Sequence, residues 1–311
     1  MSWLKELSPG FKGWHTWHAA GSKIEVFCCR GYSAGPLALI TAGVHGDEYE
    51  GPAAIASLSD VLSPDRLHGT VIAVPVVNPA AFAAGTRLHP EDGLNLARSF
   101  PGNAHGSATQ RLAAAFFEGL AVHADYLIDL HSGGVEYVFL PVTGFHGTPS
   151  ADSLSLQAAR AFGLPTLWRL PPTGGVLSYE MWRRGKVAIG AEYGGAGQLS
   201  ECGVRDYRNG MISCLSSWGM LAPTSHQSGA CAVYEGDWQL ASISGIFQAR
   251  CRLGDVVKKE ATLAAIVGIR GEVLQEFTSP CDGVVLGLRS KAWIARENWA
   301  ILIGKQVEID V

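Results

Sequence analysis

Up to about residue 222 the chain passes back and forth between short runs that are apolar throughout and longer stretches where apolar residues return every three or four positions. KIEVFCCRG and PLALITAG read as strands, the second apolar enough to be buried on both faces. GPAAIASLSDVL reads as a helix, with Pro52 near its first turn, where a missing N–H costs little. TVIAVPVV is the next strand, residues 107–124 a helix, and YLIDLH and YVFLPV two further strands. Residues 152–163 form a helix, TLWRL is extended, 176–184 is helical, VAIGAEYGG is a strand and 204–220 is helical. This alternation predicts an α/β fold with a mixed, mostly parallel sheet flanked by helices.

The texture changes after APTSHQSG (222–229). Short apolar runs such as GIFQARCRLGD, TLAAIVG, GVVLGLR and AILIGKQVEI are divided by glycine and proline, and helical periods disappear. The expectation is a unit over 1–222 followed by a smaller all-β domain over 223–311. The second pattern, GIF…LGDVVKKEATLAAI…TSPCDGVVLGL, resembles the biotinyl/lipoyl-like half-barrel. Such carriers display a modifiable lysine at a hairpin tip, and VGIRGEVLQEF has none, so the domain reads as structural or as an assembly element.

Composition narrows the field. The 311 residues, 47% apolar and 17% charged, suffice for a large core. A net charge of −4 with no basic run lacks the footprint of a nucleic-acid binder, and small molecules or peptides become the expected partners. Seven cysteines without a CxxC or an even framework, and a start (Trp3, Lys5, Glu6, Lys12) unlike a signal peptide, point to a reducing, cytoplasmic setting. No apolar run approaches the roughly 20 residues that span a bilayer. Homo-oligomerisation is possible with the added β domain.

The candidate chemistry gathers at strand ends. His45 and Glu48 follow PLALI in TAGVHGDEYEG, and His131 closes DYLIDLHSGG. Residues i and i+3 at a turn or helix start point the same way, as two ligands of one ion must. Alone, His45 with Glu48 is as well read as a satisfied histidine beside a surface carboxylate; joint placement with His131 favours a metal. Two imidazoles and a carboxylate are a recurring zinc set that leaves one position to water, and zinc brings that water's pKa to about 7. Asp129, two before His131, could accept the other imidazole N–H, while Asp47 and Glu50 remain alternative ligands. Sites in open α/β sheets lie beyond the carboxyl ends of the strands, where His45, Asn78, His131 and Glu192 all fall.

Taken in order, AGVHGDEYEG, VNPAAFAAGTR, DGLNLARSFPG, IDLHSGG and AEYGG resemble the succinylglutamate desuccinylase/aspartoacylase family of zinc amidohydrolases, over about residues 24–220. The resemblance implies a zinc carboxypeptidase-like fold and one Zn2+ per chain held by His45, Glu48 and His131. It also implies a catalytic Glu192, an Arg87 that polarises the scissile carbonyl, and an Arg98 that forks onto a substrate carboxylate. One departure stands out. Many members carry asparagine immediately before this arginine; here the residue is Ala97, with Asn95 two positions back as a partial substitute in substrate binding. Asn78 is expected to hold its loop, and Phe100-Pro101-Gly102 to be loop architecture.

The expected activity is hydrolysis of the amide bond of an N-acylated amino acid or related amine. A zinc carboxypeptidase acting on peptides and a non-enzymatic metal-binding protein are the alternatives.

Overall fold

In a computed structural model, residues 7–223 and 232–309 are described. The first six residues, and the APTSHQSG junction from 224 on, lie outside them. In chain order the strands are β1 (Lys12–Ala19), β2 (Ser22–Arg30), β3 (Ser33–Thr41), β4 (His68–Val74), β5 (Tyr126–His131), β6 (Tyr137–Phe145), β7 (Thr166–Arg169) and β8 (Val187–Gly195). The helices among them are α1 (Glu50–Val61), α2 (Pro79–Ala84), α3 (Ala108–Gly119), α4 (Leu154–Phe162), α5 (Leu177–Trp182) and α6 (Glu201–Ser217). Then follow β9 (Ala232–Glu235), β10 (Trp238–Leu240), β11 (Gly245–Ala249), β12 (Val256–Val257), β13 (Thr262–Val267), β14 (Val273–Thr278), β15 (Gly283–Arg289), β16 (Trp293–Ile294) and β17 (Trp299–Val307).

The central strands are buried on both faces because successive side chains point to opposite sides. On β3, Leu39 enters one apolar layer with Phe116 of α3 and Met181 of α5. Its neighbours Ala38 and Ile40 enter the other, with Ile55 of α1, Leu156 of α4 and Met211 of α6. The adjacent thiols Cys28 and Cys29 part in the same way, one into each layer. Helices thus cover both sides of the sheet. Their starts are fixed locally: Ser153 and Ser200 cap α4 and α6 through the backbone N–H of Leu156 and Gly203, and Gln110 Oε1 accepts from the Ser107 N–H at 3.1 Å at the start of α3.

The sheet corrects the expected strand pairing. Among the described residues it has thirteen strands in the order β1-β2-β4-β3-β5-β8-β6-β7-β9-β17-β15-β12, with β10 on β17, and it is mixed but not mostly parallel. Parallel pairing holds for β4-β3-β5-β8 and for β6-β7-β9. The remaining pairs are antiparallel. The reason lies in the connections: a parallel neighbour needs a crossover helix, whereas β1 and β2 are joined by the tight turn Ala20-Gly21. Apolar periodicity announces a strand without stating its direction.

β6 has two partners along one edge. Val142–Phe145 pair with β7, and Tyr137–Phe139 pair with β15, so β6-β7-β9-β17-β15 closes into a ring. The strands β14-β13-β11-β16 form a separate four-stranded sheet. Phe247, Leu263, Phe277, Val285 and Ile301 make the core between the two.

Candidate metal and catalytic site

Each metal-ligand candidate arrives on a different piece of backbone held at the end of a strand. His45 and Glu48 lie on the loop from β3 to α1, and that loop is pressed against α2. A Cβ on Gly46 would come within 2.0 Å of the Ala81 backbone, so any side chain there would force the loop or α2 to shift. Asn78 fixes the opposite side by accepting from the Ala81 N–H at 3.3 Å and donating to the Val44 carbonyl at 3.5 Å. His131 is the last residue of β5 and pairs across to Glu192 on β8. Its carbonyl accepts the Tyr207 hydroxyl at 2.6 Å.

These strand ends bring His45, Glu48 and His131 together, with one ligand atom of each within 4.8 Å of the others. The Glu48 carboxylate sits between the imidazoles: Oε1 is 2.7 Å from His45 Nδ1, and Oε2 is 3.1 Å from His131 Nδ1. The remaining ring nitrogens are occupied. His45 Nε2 is 3.1 Å from Asn95 Oδ1, and His131 Nε2 is 3.1 Å from Asp129 Oδ2, whose other oxygen accepts the Thr41 hydroxyl at 2.6 Å. Both histidines are therefore oriented with Nδ1 toward the common point. Two nitrogens and a carboxylate, buried and turned inward, fit a divalent cation such as zinc. The alternative ligands point elsewhere: Asp47 accepts from the Val135 N–H at 2.9 Å and Glu50 from the Ser200 N–H at 3.2 Å.

The electrostatics follow from this packing. Burial pushes the His45 imidazole down to about 4, and Arg87 adds to the effect. Burial alone would raise Glu48, but His45 and His131 hold its carboxyl well below the usual range. His131 moves the other way: burial opposes its charge, yet Asp129 and Glu48 raise it.

Around this cluster lies a cavity of about 130 Å³ that also receives Arg87, Arg98 and Glu192. Arg87 Nη1 donates to Glu48 Oε1 at 3.1 Å. Glu192 is raised by burial against the pull of His131, and its Oε2 is buried with no hydrogen-bond partner among the described residues. Arg98 is lowered by burial and by Arg87, its charge favoured by Glu192 and Asp237. Asn95, expected at the substrate, turns its side-chain oxygen to His45 and to the Ala97 N–H at 2.8 Å.

Other groups here were not anticipated. Trp299 lies under both guanidiniums, 5.6 Å from Arg87 and from Arg98, and stacks on Trp238. With Asp237 these residues bring the C-terminal strands to the cavity wall, along with Tyr137, His146 and Ser178 from the main body. Their spacing carries no motif; only the concentration of tryptophan in otherwise short, glycine-divided strands hinted at a packed surface.

The family profile described as succinylglutamate desuccinylase/aspartoacylase catalytic domain matches residues 34–218, more than half of the sequence. The chain belongs to the succinylglutamate desuccinylase/aspartoacylase family. It is 31% identical over 287 residues to the N-alpha-acetyl-L-2,4-diaminobutyric acid deacetylase of Halomonas elongata, covering 88% of this chain and 83% of that one. The product-bound ectoine utilization protein EutE (DoeB) of Ruegeria pomeroyi superposes with a TM-score of 0.85 at 28% identity, covering 96% of each chain. A succinylglutamate desuccinylase/aspartoacylase of Rhodobacter sphaeroides gives 0.83 at 27% identity, over 97% of this chain and 96% of that one. Among the described residues, no helix is long and apolar enough to cross a membrane.

Proposed function

We propose that this chain is a zinc-dependent amidohydrolase that removes the acyl group from an N-acylated amino acid or related amine. The observation that carries the reading is one cavity lined by His45 and His131, which meet Glu48 behind its wall, by Arg87 and Arg98, and by Glu192, one of whose carboxylate oxygens is buried with no partner among the described residues. One Zn2+ held by those three side chains would supply a Lewis acid and acidify a water at neutral pH.

The chain's own groups supply the rest. Arg87, beside the ligand carboxylate, takes the substrate's carbonyl oxygen as negative charge grows on it. Glu192 takes up a proton at its buried carboxyl and hands it to the departing amine nitrogen, and burial favours the protonated form it needs for that second step. Arg98 holds the substrate carboxylate, its stem flanked by Ala97 and its guanidinium over Trp299. Asn95 acts on the substrate through His45 rather than by contact. In this reading 1–222 carries the reacting groups, and 223–311 contributes Asp237, Trp238 and Trp299 to the wall.

The deacetylase of Halomonas elongata supports an N-acetylated diamino acid as the first substrate to test, and Asp237 at the exposed rim offers a carboxylate to a second substrate amino group. The small cavity walled by Trp168, Trp238 and Trp299 favours such a molecule over a peptide. Zinc-loaded protein assayed against N-acyl amino acids and against peptides decides between the readings. Amine release from the first panel alone is expected. Peptide cleavage alone would establish the carboxypeptidase, and inertness to both would leave a non-enzymatic metal-binding protein.

A further inference from the structure

Gly144 on β6 and Gly190 on β8 face each other in register, and together they open a hollow in the cavity floor. Gly190 precedes Glu192 by two positions on the same strand, so both lie on one face of the sheet, with the hollow one step below the carboxylate. There is room at Gly190 for one more carbon: an added Cβ would sit in ordinary van der Waals contact with the Asp129 carbonyl at 3.8 Å and Leu170 Cδ1 at 3.9 Å. At Gly144 the same atom would strike Leu170 at 2.7 Å, which makes Leu170 the limit of the hollow.

The nearest charged side chains are carboxylates, Glu192 and Asp129, the latter being the register partner of Gly190, and the rest of the lining here is uncharged. Leu170, Val176, Ser178 and His146 complete the lining on this side. His146 is buried, its Nε2 3.0 Å from the Ser178 hydroxyl and its Nδ1 buried with no partner among the described residues. Burial holds the imidazole down to about 4, so it is neutral at neutral pH. The two arginines of the cavity both hold their guanidiniums over Trp299.

We infer that this hollow is the acyl subsite, and that it admits a small uncharged acyl group and excludes a dicarboxylic one. The inference rests on the proposed deacylase reading. With the amino-acid carboxylate on Arg98 and the carbonyl oxygen at Arg87, the acyl carbon chain is left to turn away from both cations toward Gly190. A second carboxylate placed there would be buried without a positive partner, which proteins tolerate poorly. Methylenes added to the acyl group would run into Leu170.

The test is a series of acetyl, propionyl, butyryl and succinyl groups on one amino acid, hydrolysed by the zinc-loaded full chain. We expect kcat/KM to fall at least about a hundredfold from acetyl to succinyl. One methylene in an apolar pocket is worth roughly 10- to 200-fold in discrimination. Gly190→Ala, which the open space accommodates, should accordingly widen the acetyl-to-butyryl ratio by about tenfold. Leu170→Ala should narrow it by a similar factor, a gain on butyryl that misfolding cannot imitate. Succinyl hydrolysed within about threefold of acetyl, or both variants scaling the whole series equally, overturns the inference while leaving the deacylase reading intact. Failure to hydrolyse any N-acyl compound overturns both.

Discussion

Asp129 is only 3% exposed and links the strand-borne Thr41 to the proposed ligand His131, so its replacement tests how much of the proposed metal site depends on a residue outside the ligand set. Asp129→Asn keeps the shape and lets the amide oxygen accept from His131 Nε2. The negative charge is lost, however, and the Thr41 hydroxyl must turn toward the Ile128 carbonyl, 3.5 Å away. Asp129→Ala removes both contacts and frees the His131 ring to rotate. Partners of this kind are worth about 10- to 100-fold in metal affinity. The expectation is therefore about a tenfold loss of zinc affinity for the asparagine variant and about a hundredfold loss for alanine. At ~1.4 kcal/mol per decade these are ~1.4 and ~2.8 kcal/mol. Competition with a chromophoric chelator measures both, and circular dichroism confirms that the variants are folded. An alanine variant that binds zinc as tightly as the parent would refute the reasoning, because the orientation of His131 would then owe nothing to Asp129.

Four further outcomes are expected. Glu192→Gln should leave the metal content unchanged and lower turnover by about 10² or more, and undiminished turnover would remove Glu192 from the proton path. His131→Ala should lose stoichiometric metal by elemental analysis; full retention contradicts the ligand set. Gly46→Ala should cost about 1–3 kcal/mol by crowding the Ala81 backbone, measured by urea unfolding, and an unchanged midpoint would mean that the loop has room to shift. Although burial alone would raise Asp92, hydrogen bonds from Thr109 and Leu94 hold its carboxyl well below the ordinary range. Its contribution, about 1–3 kcal/mol, is therefore full above the unfolded value near pH ~4 and fades as the pH falls toward the folded one. Asp92→Asn should be less stable than the parent at pH 7 and converge with it in acid, and a gap independent of pH would show that the charge is not the source.

What the sequence disclosed, and what it hid, divides along physical lines. The buried strands β3, β5 and β8 were legible because burial on both faces demands continuous apolar runs, and the candidate ligands stood out because His131 ends one such run and His45 and Glu48 lie on the loop that follows another. β1 was missed. It pairs only with β2 at the sheet margin, so its KGWHTWHA sequence is exposed at every other residue and lacks an apolar run; the Ala20-Gly21 turn was its one signal. Strand direction was misjudged because periodicity is blind to connection geometry. The contact of Asn95 with His45 crosses fifty residues and could not be read from the motif that contains Asn95. Trp299, Asp237 and His146 reach the cavity through ring closure and sheet register, which no local window contains.

The closed ring of β6, β7, β9, β17 and β15 makes the two halves of this protein inseparable in a practical sense. A product ending at residue 222 would retain every proposed metal ligand, yet it would leave the outer margin of β6 and one side of β7 bare, an invitation to intermolecular strand pairing. Shortened versions intended as minimal enzymes should therefore precipitate before their chemistry can be assayed. Grafts that exchange the last ninety residues between relatives must preserve the seam at Tyr137–Phe139, or the imported tryptophans will have nowhere to dock.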